Sequence, residues 1–228
     1  MKKLVVLTGA GMSAESGIAT FRDANGLWEG HDVMEVASPE GFAKNPALVL
    51  DFYNKRRAQL KQVQPNLGHY NLKRLEEKYH VQIITQNVDD LHERAGSSSV
   101  LHLHGELRKV RSTLNENLIY SWTEDLVLGD LCEQQSQMRP HIVWFGEAVP
   151  MIEKAIGIVE QADVLVIIGT SMQVYPAAGL VSYSKNSTPI YFIDPKPSVN
   201  KGDFNNLIIL ESGAVAGTTT LVDLLLQS

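Results

Sequence analysis

Residues 4–14 read LVVLTGAGMSA, a short apolar run followed at once by a glycine-rich turn. The run at 4–8 has the pattern of a parallel strand that is buried on both faces. The turn GAGMSA at 9–14 matches the G-x-G-x-x-G/A pattern, which holds a dinucleotide phosphate between a strand and a helix. Taken alone, this match fits a tight strand-to-helix turn as well as it fits a phosphate site.

Similar apolar runs recur along the chain and alternate with helical patterns. The runs are VQIIT at 81–85, IVWF at 142–145, VLVII at 164–168, IYFI at 190–193 and LIIL at 207–210. Helices are predicted at 46–63, 67–79, 150–161 and in the final TTTLVDLLLQ. This alternation predicts an α/β protein with a Rossmann-type, doubly wound parallel sheet, whose ligand lies beyond the carboxyl ends of the strands.

Two segments interrupt the alternation. Residues 20–45 contain no convincing strand and are punctuated by glycine and proline, so we expect a long loop over the binding crevice. Residues 106–140 are polar and irregular, which predicts a small excursion from the main domain.

Composition excludes several classes of protein. The 228 residues carry 20 Lys+Arg against 26 Asp+Glu, a net charge of −6, so we expect no direct nucleic-acid partner. A single cysteine can form neither an internal disulfide nor a cysteine-rich zinc site. The first apolar run is too short for a signal peptide, and no stretch approaches the roughly 20 apolar residues of a membrane span. We expect a soluble, cytoplasmic protein without a membrane partner.

Polar residues follow two further strands. Gln86, Asn87 and Asp89 come directly after the run at 81–85, and helix capping alone would explain one of them but not the cluster. Gly169-Thr170-Ser171 follows the run at 164–168, where backbone N–H groups and hydroxyls could hold a phosphate or ribose. With the first turn, these segments converge on one sheet edge and predict a dinucleotide crevice. A dehydrogenase is disfavoured because no second strand ends in the acid that would bind the ribose.

Two histidines precede a glycine in His102-Leu103-His104-Gly105, and they share a side if the segment is extended. Histidine is the usual general base near neutral pH. Metal ligation is a further option, although two histidines and the distant Cys132 make a poor zinc set. By itself, RPHIVWFGE at 139–147 fits core packing.

Taken together, these segments resemble the sirtuin family of NAD-dependent protein-lysine deacylases. The motifs stand in the family's order: GAGMSAESGIATFRD, TQNVDDLHERAG, LHLHGEL, RPHIVWFGE and GTSMQVYPAA. The resemblance implies one catalytic domain over 1–228, with small-domain insertions at approximately 20–65 and 106–140. It also implies removal of acyl groups from protein lysines at the expense of NAD, with release of nicotinamide and O-acyl-ADP-ribose. We expect a monomer that acts on acyl-lysine proteins.

The resemblance also assigns roles by position. His104 would be the catalytic base, and Asn87 and Asp89 would act beside it around the nicotinamide and ribose. The residues that would bind the cofactor are Gly9, Ala10, Gly11, Ser13, Phe21, Arg22, Asp23, Gln86, Gly169, Thr170, Ser171, Asp194 and Ala216. The acyl-lysine channel would be lined by Val143 and the following Trp144-Phe145-Gly146-Glu147.

Tyr53 and Arg56 lie three residues apart on a predicted helix and so share a face. Without family context, they fit a solvated basic face. Their Tyr-x-x-Arg spacing, however, looks like that of the sirtuin branch that removes acidic acyl groups, and a guanidinium pairs well with a carboxylate. We therefore expect succinyl- or malonyl-lysine to be better substrates than acetyl-lysine.

The chain departs from the family between 108 and 138. Most sirtuins carry four zinc-binding cysteines there, whereas this chain has only Cys132, with Ser112 where a first cysteine is expected. We predict no zinc, and a segment held by packing of Trp122, Leu126, Leu128 and Leu131. The alternatives on the same site are ADP-ribosyl transfer, NAD hydrolysis and a non-catalytic NAD-sensing module.

Overall fold

A computed structural model describes residues 1–19, 27–28, 30–200 and 202–227. In chain order, the strands and helices are β1 (Lys2–Thr8), α1 (Gly11–Ala14), β2 (Leu27–Trp28), β3 (His31–Asp32), α2 (Val33–Val36), α3 (Pro39–Lys44), α4 (Pro46–Gln62), α5 (Leu67–Leu75), β4 (Tyr79–Thr85), α6 (Leu91–Arg94), β5 (Val100–His102), β6 (Gly105–Ser112), β7 (Ile119–Ser121), β8 (Met138–Ile142), α7 (Ile152–Val159), β9 (Val164–Ile168), a 3₁₀ helix (Ala177–Tyr183), β10 (Ile190–Ile193), β11 (Leu207–Leu210) and α8 (Ala214–Leu226).

The central sheet is parallel and has the strand order β11-β10-β9-β1-β4-β5. From β1, the chain first adds strands on one side and then returns to add β9, β10 and β11 on the other. The order therefore reverses beside β1, and ligands of open α/β sheets bind at such a point. This arrangement confirms the predicted Rossmann-type sheet.

Each face of this sheet packs on its own layer of helices. In β1, Leu4 and Val6 belong to a core shared with α5 and α8, whereas Val5 and Leu7 belong to a core shared with α7 and the 3₁₀ helix. All four side chains are buried. Apolar residues at successive positions thus bury both faces of one strand, which is why the run shows no alternation.

A second, antiparallel sheet has the order β7-β6-β8 and packs against α4. Two further cores lie here. Phe52 and Tyr53 of α4 pack with Leu107 and Trp144 in one, and Leu50 packs with residues such as Cys132 in the other.

The structure corrects several expectations. The run IVWF at 142–145 is not a strand of the central sheet: β8 ends at Ile142, and Trp144 is buried against α4. Within this run Ile142 and Trp144 are buried, whereas Val143 is half-buried and Phe145 is exposed. Residues 106–140 supply β6, β7 and part of β8, whereas 122–137 are irregular as expected, apart from an isolated bridge between Leu131 and Gln137. Within 30–45, the expected loop contains α2 and α3, each capped by the side chain that precedes it, Asp32 and Ser38.

Smaller differences concern element ends and packing. The helix expected at 67–79 ends at Leu75, because β4 begins at Tyr79. Leu126 is fully buried as expected, whereas Leu128 and Leu131 are 55% and 45% exposed. Among the described residues, no helix combines the length and the apolar character that a membrane crossing needs.

Candidate active site

The glycine-rich loop after β1 lies against the loop after β9. The Gly9 N–H donates to the Ile168 carbonyl at 3.0 Å, and the Gly11 N–H donates to the Gly169 carbonyl at 2.9 Å. A Cβ on Gly11 would lie 2.6 Å from the Gly169 Cα, so a larger residue would force the loops apart. The glycines were expected to let the backbone approach a phosphate, but the contact that requires them here is between the two loops.

Three backbone N–H groups on these loops remain available. In the part of the chain that the structure describes, the amides of Ala10, Thr170 and Ser171 donate to no protein acceptor. Such N–H groups suit phosphate oxygens. Because α1 is only 4 residues long, the amides themselves, and not a long helix dipole, are what this loop offers to an anion.

Side chains after β4 form a buried chain of hydrogen bonds with the glycine-rich loop. Asn87 Nδ2 donates to Ser13 Oγ at 3.1 Å, and Ser13 Oγ donates to Asp89 Oδ2 at 2.9 Å. The other Asp89 oxygen accepts from the Leu91 N–H at 3.1 Å, across the turn that leads into α6. The residue that caps α6 is Asp90, so neither Asn87 nor Asp89 caps this helix as the alternative had it. Burial raises the pKa of Asp89, although both bonds act to lower it.

Gln86 links the loops after β4 and β9, since its Nε2 donates to Thr170 Oγ1 at 3.1 Å. Its backbone carbonyl accepts from His104 Nδ1 at 3.1 Å. A carbonyl can only accept, so Nδ1 carries the hydrogen and Nε2 of the neutral ring is left with a free lone pair. Burial lowers the pKa of His104 below its usual value, against the effect of the Gln86 bond. A half-buried, neutral imidazole of this kind is suited to act as a base.

His102 has a different environment. Its Nδ1 bonds to the Asn87 carbonyl at 3.1 Å, and its Nε2 bonds to Glu93 Oε1 at 2.8 Å. Burial acts to lower the pKa of His102, but the Glu93 carboxylate outweighs burial and raises it. With both nitrogens occupied, His102 supports the Asn87 loop. The described residues include no group of three or more His, Cys, Asp or Glu side chains able to hold a metal ion.

The segment after β8 runs beside His104 and toward α4. The Val143 N–H donates to the His104 carbonyl at 2.9 Å, and the Phe145 N–H donates to the Ala37 carbonyl at 2.9 Å. Phe145 and Gly146 are exposed, and Gly146 has φ +89° with open space around its Cα. Exposed backbone of this kind, next to a histidine, can receive an extended peptide.

On α4, the Tyr53 side chain is fully buried and its hydroxyl accepts a hydrogen bond from Trp144 Nε1 at 2.9 Å. The Arg56 guanidinium is half-buried one turn further on, 4.3 Å from the centre of the Phe52 ring. The structure therefore places Tyr53 against the segment that follows β8, with Arg56 one turn further along α4.

A family model described as the Sir2 family matches residues 9–176, well over half of the chain. The chain belongs to the Sir2 family. This sirtuin is 65% identical to an NAD-dependent protein deacylase of Helicobacter pylori, over 86% of each chain. It is 54% identical to an NAD-dependent protein deacylase of Bacteroides thetaiotaomicron over the full length of both.

Solved structures of the family have the same fold. A Sir2 homologue in complex with NAD matches with a TM-score of 0.88 and 40% identity, over 99% of this chain and 90% of that one. A Sir2 protein bound to an acetylated peptide matches with a TM-score of 0.80 and 30% identity, over 96% and 92%.

Two other residues of the sirtuin pattern, Asp194 and Ala216, lie in the C-terminal part of the chain. Asp194 is buried at the end of β10, where its Oδ1 accepts from the Lys196 N–H at 2.8 Å, and Ala216 is exposed near the start of α8. Their roles toward the adenosine stay predictions. Phe21, Arg22 and Asp23 lie outside the described residues.

Sequence reasoning missed an ionic cluster beside the segment that follows β8 in this sirtuin. Glu147 accepts from Arg139 at 2.7 Å and from Arg111 at 3.1 Å, and all three side chains are largely buried. The two ends of RPHIVWFGE, an arginine and a glutamate eight residues apart, were the signal that could have predicted this pair.

Proposed function

We propose that this sirtuin removes acyl groups from protein lysines with consumption of NAD, and that it prefers succinyl and malonyl groups to acetyl. The observation that carries the reaction is the bond from His104 Nδ1 to the Gln86 carbonyl, which leaves Nε2 as a free base. Curated relatives of 54–65% identity are NAD-dependent protein deacylases, which supports the same activity here.

The crevice residues fit NAD. The free amides of Ala10, Thr170 and Ser171 suit its phosphates, and Gly9, Gly11 and Gly169 keep the two amide-bearing loops in contact. When bound, NAD supplies a ribose carbon that becomes reactive as nicotinamide departs. We assign Gln86, Ser13, Asp194 and Ala216 to the same cofactor, together with Phe21, Arg22 and Asp23 of the loop.

The polar side chains then orient and move protons. Asn87 Nδ2 donates to Ser13 Oγ, which donates in turn to Asp89, so the Asn87 carboxamide is held in one orientation before a ligand binds. With NAD bound, His104 Nε2 would accept the proton of a ribose hydroxyl and so make that oxygen a nucleophile. A positioned base of this kind contributes about 10²–10⁴-fold.

The acyl preference rests on Tyr53 and Arg56. Burial raises the pKa of Tyr53, while the charges of Arg139 and Arg56 act to lower it, so the hydroxyl stays protonated and can donate at neutral pH. A carboxylate at the far end of a succinyl or malonyl group would accept from this hydroxyl and from the Arg56 guanidinium. Acetyl-lysine offers no such acceptor.

We also propose that the inserted segments, approximately 20–65 and 106–140, form a small domain that contains no zinc. The position expected for a first cysteine is Ser112, whose Oγ lies 3.4 Å from the Cys132 sulfur, and both are buried. A hydroxyl and one thiol do not make a tetrahedral thiolate site.

A panel of acetyl-, malonyl-, succinyl- and glutaryl-lysine peptides, assayed with NAD in chelator, tests this function. We expect nicotinamide and O-acyl-ADP-ribose as products, with kcat/KM highest for an acidic acyl group. Arg56→Met should lower the succinyl-to-acetyl ratio of kcat/KM about 10- to 100-fold, the range for loss of a charged hydrogen bond.

Lys55→Met is the matched control, because it removes an exposed cation from the same helix. An unchanged ratio in Arg56→Met would refute the acyl preference. Formation of free ADP-ribose or of ADP-ribosylated protein in place of the acylated product would refute deacylation.

A further inference from the structure

Among the described residues, the Tyr53 hydroxyl accepts a hydrogen bond but donates none. Its oxygen accepts from Trp144 Nε1 at 2.9 Å, but the described residues provide no acceptor for its hydrogen. A hydroxyl has one hydrogen and two lone pairs, and an indole N–H can only donate. The bond from Trp144 therefore leaves the buried Tyr53 O–H group able to donate to a further acceptor. A buried donor without a partner is costly, unless a ligand supplies that partner.

The Trp144 ring itself is tightly held. The guanidinium carbon of Arg139 lies 3.3 Å from the centre of the indole ring, and Phe42 packs against the ring at 5.3 Å between centroids. The Trp144 backbone N–H donates to Glu147 Oε2 at 2.8 Å, and the same carboxylate holds Arg139. Arg139 also donates to the Ile142 carbonyl at 2.9 Å. These contacts fix the orientation of the indole ring, so its N–H points toward Tyr53. The Arg139 cation on the face of the ring makes this N–H a stronger hydrogen-bond donor.

We propose that Trp144 is a positioning residue for acidic acyl groups and acts through Tyr53. By occupying a lone pair of the Tyr53 oxygen, the indole N–H directs the hydroxyl hydrogen toward the distal carboxylate of a succinyl or malonyl group. The Arg139–Glu147 pair keeps the indole in place. This inference rests on the acyl preference proposed above and names the residue that orients its donor.

Trp144→Phe isolates the N–H group, because it keeps an aromatic ring for Arg139 to stack on. We expect the succinyl-to-acetyl ratio of kcat/KM to fall about 3- to 10-fold, the range for one neutral hydrogen bond. Trp122→Phe is the matched control: it removes an indole that follows β7 and packs on the other core, and it should leave the ratio unchanged.

A double-mutant cycle with Tyr53→Phe separates positioning from general packing. If Trp144 acts through the hydroxyl, Trp144→Phe changes the ratio in the wild-type background and has no further effect in Tyr53→Phe. Equal losses for both acyl groups, or an effect of Trp144→Phe that persists in Tyr53→Phe, would overturn the proposal. Should Trp144→Phe not fold, β-(3-benzothienyl)alanine at position 144 replaces the N–H by sulfur and allows the same comparison.

The two proposals fail in different ways. A wild-type enzyme without preference for succinyl-lysine refutes the acyl assignment and this inference together. A wild-type enzyme with that preference, retained in full by Trp144→Phe, refutes only the role of Trp144.

Discussion

Gln137 connects four backbone groups in the part of the second sheet where we propose that no zinc is bound. Its Oε1 accepts from the Gly129 N–H at 2.8 Å. Its Nε2 lies within hydrogen-bond distance of three carbonyls, those of Val127 at 3.0 Å, Asp130 at 3.2 Å and Met138 at 2.9 Å. One carboxamide therefore joins the loop at 127–130 to β8, a cross-link that packing by the exposed Leu128 and Leu131 does not provide.

The expected loss in Gln137→Ala follows from this geometry. The amide has two hydrogens for three carbonyls, so the side chain contributes the equivalent of three hydrogen bonds at about 1 kcal/mol each. Gln137 is half-buried, so water can replace part of the lost hydrogen bonding in the variant. We therefore expect the free energy of unfolding to fall by about 2 kcal/mol. For a chain of this length, that corresponds to a fall in Tm of about 4–8 °C.

Thermal unfolding followed by circular dichroism, in buffer with a chelator, measures this difference. Gln134→Ala is the control, since Gln134 is exposed and its side chain bonds to no described residue. A Tm of Gln137→Ala equal to that of Gln134→Ala would refute the assignment of Gln137 as the link. Rescue of Gln137→Ala by added zinc would refute the proposal that the segment binds no metal.

The remaining predictions concern the catalytic base, two pH effects and the metal content. His104→Ala should lower deacylation about 10²–10⁴-fold in a steady-state assay, and near-normal turnover would exclude His104 as the base. Because burial lowers the pKa of His104, the acidic limb of the kcat/KM profile should have its midpoint below pH 6.5, and a midpoint above that value would contradict a neutral base. Burial lowers the pKa of His69 to about 4, so its contribution to stability is complete above pH 6.5 and is lost as the pH falls toward 4. Urea unfolding at pH 7 and pH 4 should show a loss of up to about 3 kcal/mol from this group, reduced in His69→Gln, and an equal loss in both proteins would remove His69 as the cause. Mass spectrometry should find well below one zinc per chain, and a stoichiometric zinc would show that the segment at 106–140 has other ligands.

Much of the central sheet could be predicted because most of its strands are short apolar runs that can be recognised in the sequence. The runs that form β1, β4, β9, β10 and β11 are apolar at successive positions, and the structure confirms all five. The same signal misassigned IVWF at 142–145, where β8 ends at Ile142, Trp144 packs against α4 and Phe145 is exposed. The strand β5 was missed because Val100–His102 is too short and too polar at its end to form such a run.

The candidate site was predicted as a set of residues but not as a geometry. His104, Asn87 and Asp89 could be chosen from their motifs. In the structure His104 bonds to the Gln86 carbonyl, and Asn87 and Asp89 both bond to Ser13. The linking role of Ser13 between Asn87 and Asp89, and the loop contact that requires Gly11, involve partners far apart in the chain. No short-range pattern encodes such pairs.

The sequence by itself determined the α/β class, the glycine-rich turn, the acidic net charge and the scarcity of cysteine, because each depends on residue type or near-neighbour spacing. Only the tertiary structure decided what these residues do to one another. The free nitrogen of His104 depends on a carbonyl 18 residues away, and the free hydrogen of Tyr53 depends on an indole 91 residues away. Hydrogen bonds between residues so far apart in the chain form only when whole helices and strands pack together. The fold therefore determines which ring nitrogen of His104 is bonded and which is free, and that the Tyr53 hydrogen is free to donate.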